Sequence, residues 1–135
     1  MPRISNWGRY PSVEAAMYEF EDAGQLAETL PGLGSAIPRG NGRCYGDSAL
    51  APAILSTLRY NRLLSFDEAT GELCCQSGVL LADILDVFVP RGWFLPVTPG
   101  TKRITVGGAI AADVHGKSHH VDGSFSRHVR ELEIM

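Results

Sequence analysis

Apolar and polar residues alternate along several short segments of the chain, which is the pattern of half-buried β-strands. In the clearest of them, Ala16, Tyr18 and Phe20 fall on one side of a strand and the residues between them on the other. The predicted strands cover residues 16–20, 36–38, 54–58, 63–67, 72–77, 93–97 and 128–135. Because they are short and separated by turn residues, they indicate a small mixed domain rather than one long sheet.

Helices are predicted between these strands. Asp22 and Gln25, three residues apart, resemble a capping box at the start of a helix that Pro31 ends. Apolar residues recur at helical spacing over residues 80–88, and a further short helix is predicted over residues 106–113. The order of strand, helix, strand and loop favours a small parallel unit, in which ligands commonly bind at the carboxyl ends of strands.

Length and composition narrow the class of protein. The 135 residues suffice for one modest domain, and 44% hydrophobic with 20% charged residues is typical of a soluble globular protein. No apolar run approaches the roughly 20 residues of a membrane-spanning helix, and there is no signal-peptide pattern. We therefore expect a cytoplasmic protein without direct membrane insertion. The net charge of −3 argues against a nucleic-acid partner.

The three cysteines do not form a recognisable site. Cys44, Cys74 and Cys75 are odd in number and lack the spacing of metal ligands, so neither a disulfide framework nor a metal site is expected. Cys74 and Cys75 should face opposite sides of one strand and serve structural roles, because a free cysteine usually behaves as a small hydrophobic residue.

Two glycine-rich stretches are the most informative feature of the sequence. They run from Pro38 to Ser48 (PRGNGRCYGDS) and from Pro99 to Gly116 (PGTKRITVGGAIAADVHG). Glycine lets backbone N–H groups approach a ligand closely, and the cations within these stretches suit an anion. Those cations are Arg39, Arg43, Lys102 and Arg103. Together the stretches predict one phosphate-binding site, and a merely solvated surface is the alternative.

The glycine stretches also carry a family resemblance, together with GVLLADILD (78–86), GSF (123–125) and NWGRYPS (6–12). They resemble the FAD-binding domain of the vanillyl-alcohol-oxidase and p-cresol-methylhydroxylase (PCMH) class. Within that class the similarity is to the oxidases that act on the 2'-hydroxyl of polyprenylphosphoryl-ribose. The resemblance implies a PCMH-type α+β fold of two lobes with FAD between them. Lobe one would cover about 1–60 and lobe two would begin at about 61.

The predicted strand that reaches residue 135 suggests a domain cut short, with lobe two incomplete and the substrate domain absent. The resemblance places the FAD diphosphate on the first stretch and the flavin and ribityl chain along the second. The residues of the first are Pro38, Arg39, Gly40, Asn41, Gly42, Arg43, Cys44, Tyr45, Gly46, Asp47 and Ser48. Those of the second are Gly100, Thr105, Val106, Gly107, Gly108, Ala112, Asp113, Val114 and His115. Covalently flavinylated relatives carry a histidine in the first stretch, so FAD is expected to bind non-covalently here.

The resemblance further implies hydride transfer from a sugar alcohol C–H to flavin N5. Tyr45, His115 and Lys117 match positions that face the substrate, and histidine can accept a proton near neutral pH. The expected partners are a small sugar or polyol substrate, with alditols and sugar lactones left open, and a short-chain reductase that completes an epimerisation. The chain alone is expected to show weak or no activity.

Two other interpretations compete with this one. Zinc could bind His115, His119 and His120, but Gly116 interrupts the helix that such a pair of ligands would need. The chain could instead be a non-catalytic flavin- or nucleotide-binding module, or a fragment that associates through an exposed sheet edge.

Overall fold

The structure is a computed structural model that describes all residues from 1 to 135. It contains seven short strands and four α-helices. The strands are β1 (Arg3–Ser5), β2 (Ser12–Glu14), β3 (Ala16–Glu19), β4 (Ile37–Arg39), β5 (Ala53–Ser56), β6 (Leu63–Asp67) and β7 (Glu72–Cys75). The helices are α1 (Ala23–Thr29), α2 (Leu81–Phe88), α3 (Val106–Ala111) and α4 (His119–Asp122). No helix combines the length and the apolar character that crossing a membrane requires.

A three-stranded parallel sheet forms the first half of the molecule, in the order β3-β5-β4. The central strand β5 is the most deeply buried, since Ile54 is fully excluded from solvent and Leu55 and Ser56 nearly so. Ile54 aligns with Met17 on one side and Ile37 on the other. The predicted parallel unit is confirmed, and β4 delivers the first glycine stretch at its carboxyl end.

The start of α1 follows its predicted capping signal. The Asp22 carboxylate accepts a hydrogen bond from the Gln25 N–H at 2.9 Å. The Gln25 side chain reaches back one residue further than the usual box, to the Glu21 N–H at 2.9 Å. Helix α1 ends at a 3-10 turn that contains Pro31, because proline cannot continue the hydrogen-bond ladder.

A second core forms where α2 packs on the antiparallel hairpin of β6 and β7. Val79, Leu81, Ile84 and Phe88 are its buried members. The Phe66 ring of β6 lies 4.4 Å from the Phe88 ring, measured between centroids. The predicted apolar stripe of this helix is therefore core.

Cys75 borders this second core, whereas Cys74, its neighbour on β7, is exposed. Their side chains thus differ in exposure as the alternation of a strand predicts. Burial, and secondarily the adjacent Cys74 thiol, raises the pKa of Cys75 to about 11. Cys75 therefore remains a protonated, unreactive thiol at neutral pH.

Two strand predictions are wrong. Residues 93–97 are irregular because Trp93 turns its ring edge-on to Phe66, 5.3 Å away, and Pro96 has no N–H to donate to a ladder. Residues 128–135 are also not a strand. No backbone group of residues 130–135 hydrogen bonds to the rest of the chain, so the alternating pattern there has no partner strand. Helix α3 also stops earlier than predicted, at Ala111, and Asp113 adopts a left-handed conformation with φ of 43°.

Candidate cofactor-binding site

The two glycine stretches lie side by side, as the sequence predicts. The Asn41 side-chain amide donates to the Arg103 carbonyl at 2.7 Å. A Cβ atom added to Gly40 would collide with the Thr105 side chain, so only glycine permits this approach. These contacts join residues that are 62 and 65 positions apart in sequence, and they fix the first stretch against the start of α3.

The backbone of the first stretch is free to bind an anion. None of the N–H groups of residues 40–49 donates a hydrogen bond to another protein group. The chain takes left-handed turns at Gly42 and Gly46, where φ is 62° and 63°. Successive unpaired N–H groups in a loop that alternates in this way form a concave cradle for anions. The residues predicted to hold a diphosphate thus have amides available for it.

The second stretch differs in this respect. At the start of α3 the Val106 and Gly107 N–H groups donate to backbone carbonyls, that of Gly107 to Ser77 at 2.8 Å. The Gly108 N–H donates to the Thr105 hydroxyl at 3.1 Å. The amides at this helix start therefore already have protein acceptors, whereas those of residues 40–49 do not. The predicted contacts of the second stretch with FAD stay predictions.

Thr105 has a structural role in this arrangement. It is only 2% exposed, and its hydroxyl caps α3 by accepting the Gly108 N–H. Its predicted contact with FAD stays a prediction. The glycines after it serve close packing, since a Cβ on Gly107 would lie 3.0 Å from the Ser77 Cβ. Thr105 thereby connects the helix to Gly40 of the first stretch.

A cleft of about 530 Å³ opens beside the first stretch. Three arginines, Arg9, Arg39 and Arg43, line it together with Asn41 and Gly42, and no acidic residue does. The remaining lining residues are Ser5, the last residue of β1, and Asn6 and Trp7, which follow it. A pocket with three cations and no carboxylate attracts a polyanion.

Arg43 lines the cleft with an unpaired guanidinium, which makes no hydrogen bond or ion pair with the protein. Its Nε is buried without a partner, which carries a free-energy penalty. The guanidinium lies 5.2 Å from the centre of the Trp7 ring, a cation–π contact that orients the group at the cleft. The remaining nitrogens of Arg43 therefore have donor capacity that no protein group uses.

Arg39 is occupied differently. Its guanidinium donates to the Asn6 side chain, to the Ser5 carbonyl at 2.9 Å and to the Ala49 carbonyl at 3.3 Å. Burial lowers the pKa of Arg39 from its usual value, an effect that the nearby Cys44 opposes. Arg39 and Arg43, which flank residues 40–42 in sequence, thus make different contacts. Arg39 holds the loop together, and Arg43 faces the cleft.

Asp113 anchors the turn that contains the GSF motif. Its carboxylate accepts the Ser126 N–H at 2.9 Å and the Ser124 hydroxyl at 2.8 Å. These bonds, that of the Ser126 N–H foremost, hold the pKa of Asp113 below its usual range. Its predicted contact with FAD stays a prediction, while its contact with this turn is direct.

We expect Asp113→Asn to lower the free energy of unfolding near neutral pH. An aspartate whose pKa is depressed by folding stabilises the protein above its unfolded pKa of about 4, and this contribution is lost as the pH falls through the folded pKa. The difference between wild type and variant should therefore shrink in urea titrations carried out between about pH 7 and pH 3. A difference independent of pH would contradict this role.

The three predicted catalytic residues are all solvent-exposed. Tyr45 is 76% exposed, and His115 and Lys117 are exposed as well. No hydrogen bond, ion pair or ring contact connects any two of them. The His115 ring instead lies 5.3 Å from the ring of His119. No group of three or more His, Cys, Asp or Glu side chains is arranged to hold a metal ion.

Sequence reasoning missed the contribution of the N-terminal hairpin of β1 and β2. Its residues Asn6, Trp7 and Arg9 line the cleft, and the Trp7 N–H donates to the Cys44 carbonyl at 3.2 Å. The available signal was the turn sequence Gly-Arg-Tyr-Pro at 8–11 between two short alternating segments.

The family model described as "FAD binding domain" matches residues 34–135, which is most of the chain and includes both glycine stretches. The chain belongs to this FAD-binding domain family. The predicted family resemblance, the α+β fold of PCMH-type flavoproteins and FAD as the cofactor are thereby confirmed.

Curated relatives agree with this membership. The chain is 36% identical, over 140 aligned positions, to the decaprenylphosphoryl-beta-D-ribose oxidase of Mycolicibacterium smegmatis, covering 98% of this chain and 30% of that protein. It is 34% identical to the mitochondrial D-2-hydroxyglutarate dehydrogenase of Bos taurus over 83 residues, 61% of this chain and 15% of that protein. The chain thus spans less than a third of the length of these relatives.

Solved structures share the fold. An alkyldihydroxyacetonephosphate synthase superposes with a TM-score of 0.68 at 18% identity, over 82% of this chain and 23% of that one. A cholesterol oxidase variant from Brevibacterium sterolicum superposes with a TM-score of 0.70 at 14% identity, over 84% of this chain and 24% of that one. The observed arrangement of strands and loops is therefore shared with part of each of these two larger proteins.

Proposed function

We propose that this chain is the FAD-binding portion of a flavin-dependent oxidoreductase that removes a hydride from the C–H of a sugar alcohol. The observation that carries the proposal is the first glycine stretch, whose unpaired N–H groups lie beside a cleft lined by Arg43. A diphosphate carries negative charge and acceptor oxygens. It could therefore accept hydrogen bonds from these N–H groups and from Arg43.

The residues present fit FAD as a non-covalent ligand. The amides of Gly40, Asn41 and Gly42, with the guanidinium of Arg43, would hold the diphosphate. Trp7 is 58% exposed at the same cleft and offers an aromatic face to a planar ring. Cys44 is not positioned as a free nucleophile, because its thiol donates to the Ser48 carbonyl at 3.2 Å.

Bound FAD supplies the hydride acceptor that oxidation of a CH–OH group requires. The protein then has to orient the substrate and receive the hydroxyl proton. The exposed imidazole of His115 is the proposed proton acceptor, and Lys117 and Tyr45 are the proposed polar contacts to the substrate. Exposure of all three suits residues that contact a ligand rather than the core.

A sugar alcohol is proposed as substrate because two curated relatives carry names that refer to substrates with a hydroxyl-bearing carbon, a phosphoryl-ribose and a 2-hydroxy acid. The relative named for the ribose derivative is similar along nearly the whole chain, whereas the dehydrogenase aligns with 61% of it. The 2'-hydroxyl of a polyprenylphosphoryl-ribose is therefore the proposed reacting group, and a short-chain reductase is the proposed partner.

The test is an equilibrium titration of the purified chain with FAD, followed by flavin absorbance and by tryptophan fluorescence. We expect saturable 1:1 binding, competition by ADP, and weaker binding of riboflavin, because riboflavin lacks the diphosphate. Acid precipitation should release all of the flavin if attachment is non-covalent. Absence of FAD binding, or equal affinity for riboflavin, would contradict the proposal.

A further inference from the structure

Asn6 occupies a position that the FAD-binding family match does not include, because the match begins at residue 34. It is nevertheless a buried polar side chain, 5% exposed, at the cleft. Burying a side-chain amide is unfavourable unless each polar atom has a partner, so its contacts indicate what it does. All of them lead to residues of the first glycine stretch, namely Arg39, Gly46 and Ser48.

Both polar atoms of the Asn6 side chain form hydrogen bonds. Its Nδ2 donates to the Gly46 carbonyl at 3.1 Å and also to the Ser48 carbonyl. Its Oδ1 accepts a hydrogen bond from the Arg39 guanidinium. One side chain of the N-terminal hairpin thus ties together the beginning and the end of the loop that carries the unpaired amides.

Arg39 extends this network. Besides Asn6, it binds the carbonyls of Ser5 and Ala49, one on each side of the loop. Gly42 curves over its guanidinium so closely that a Cβ there would collide with it. The left-handed turn at Gly42 therefore packs directly against the Arg39 guanidinium, which Asn6 binds.

These contacts involve the backbone carbonyls of the loop and not its N–H groups. The carbonyls of Cys44, Gly46 and Ser48 accept hydrogen bonds from residues 6 and 7, whereas the N–H groups of residues 40–49 donate to no protein atom. A loop whose carbonyls are bound on the hairpin side keeps its amides available to a ligand. It also avoids the ordering cost that a mobile loop would incur on binding.

We propose that Asn6 and Arg39 form a clamp that pre-organises the first glycine stretch for the diphosphate of FAD. Asn6 is a positioning residue in this proposal, since it acts through the loop rather than on the cofactor. The inference rests on the proposed FAD binding, and its loop-ordering part can be measured without FAD.

The experiment compares wild type with Asn6→Ala and Arg39→Lys, and with Ser12→Ala as a control in the same hairpin, where Ser12 is exposed. Backbone amide order parameters, from nuclear magnetic resonance relaxation, and FAD affinity are measured on each purified chain. Arg39→Lys keeps the positive charge but replaces the planar guanidinium, whose two terminal nitrogens reach Asn6, Ser5 and Ala49, with a single nitrogen that cannot span them. Asn6→Ala changes no charge, so neither effect can be attributed to lost attraction for phosphate.

We expect both variants to lower FAD affinity by about tenfold and to lower the order parameters of residues 40–49 alone, because pre-organisation of the loop is lost. Ser12→Ala should change neither. Unchanged affinity, or order parameters lowered evenly over β3, β5 and the loop, would overturn the clamp. If Asn6→Ala fails to fold, Arg39→Lys decides. If wild type does not bind FAD, the proposed function fails, and the loop order parameters alone still decide whether the clamp exists.

Discussion

Gly78→Ala should lower the free energy of unfolding by about 3 kcal/mol or more, which is enough to unfold many small domains. A Cβ at this position would overlap the Thr57 carbonyl and lie 2.5 Å from the Tyr60 carbonyl oxygen. Both obstacles are backbone atoms that cannot rotate away. The Gly78 N–H also donates to the Tyr60 carbonyl at 2.7 Å, so the two segments cannot separate without losing that bond.

Urea denaturation followed by far-ultraviolet circular dichroism measures the effect. Gly32→Ala is the matched control, because nothing lies within 4 Å of a Cβ at Gly32. We expect its free energy of unfolding to stay within about 0.5 kcal/mol of wild type. Should Gly78→Ala unfold at the same urea concentration as Gly32→Ala, the close contact between residues 57–60 and the start of α2 would be wrong.

The second large effect concerns the cofactor. Arg43→Met should weaken FAD binding by roughly tenfold to a hundredfold, because a hydrogen bond from a charged group contributes about 1.5–3 kcal/mol. Methionine retains part of the packing against Trp7 while it removes the buried, unpartnered Nε. Since that donor is unsatisfied in the free protein, its removal should leave the free energy of unfolding equal or slightly higher.

Arg62→Met provides the matched control for the charge. Arg62 makes no ion pair and does not line the cleft, so its variant loses one positive charge elsewhere on the surface. We expect its FAD affinity to remain that of wild type in the same FAD titration. Equal losses for both variants would mean that net charge, rather than a contact from Arg43, governs the affinity.

Much of the fold follows from local sequence signals. The capped helix α1, the hairpin of β6 and β7 and the apolar stripe of α2 each depend on residues close together in sequence, and the structure confirms them. Residues 128–135 show the limit of such signals. They alternate as a strand does, but a strand also needs a neighbour to pair with, and a pattern of side chains cannot supply one.

The sequence likewise predicted only part of the candidate site. Glycines indicated where backbone approaches something closely, yet they could not say whether that is a ligand or another part of the protein. At Gly40 and Gly107 the close neighbour is protein, namely Thr105 and Ser77. The same holds for Arg39, which binds Asn6 across 33 positions of sequence. Only the three-dimensional arrangement separates such contacts from the free amides beside Arg43.

Backbone amide chemical shifts during a titration with FAD test the central claim most directly, since a chain of 14.6 kDa suits such spectra. We predict that the amides of residues 40–44 shift most, and that ADP, which shares the diphosphate, shifts the same amides. Gly107 and Gly108, whose N–H groups already have protein acceptors, should move little. Shifts concentrated at the start of α3, with residues 40–44 unaffected, would contradict the account.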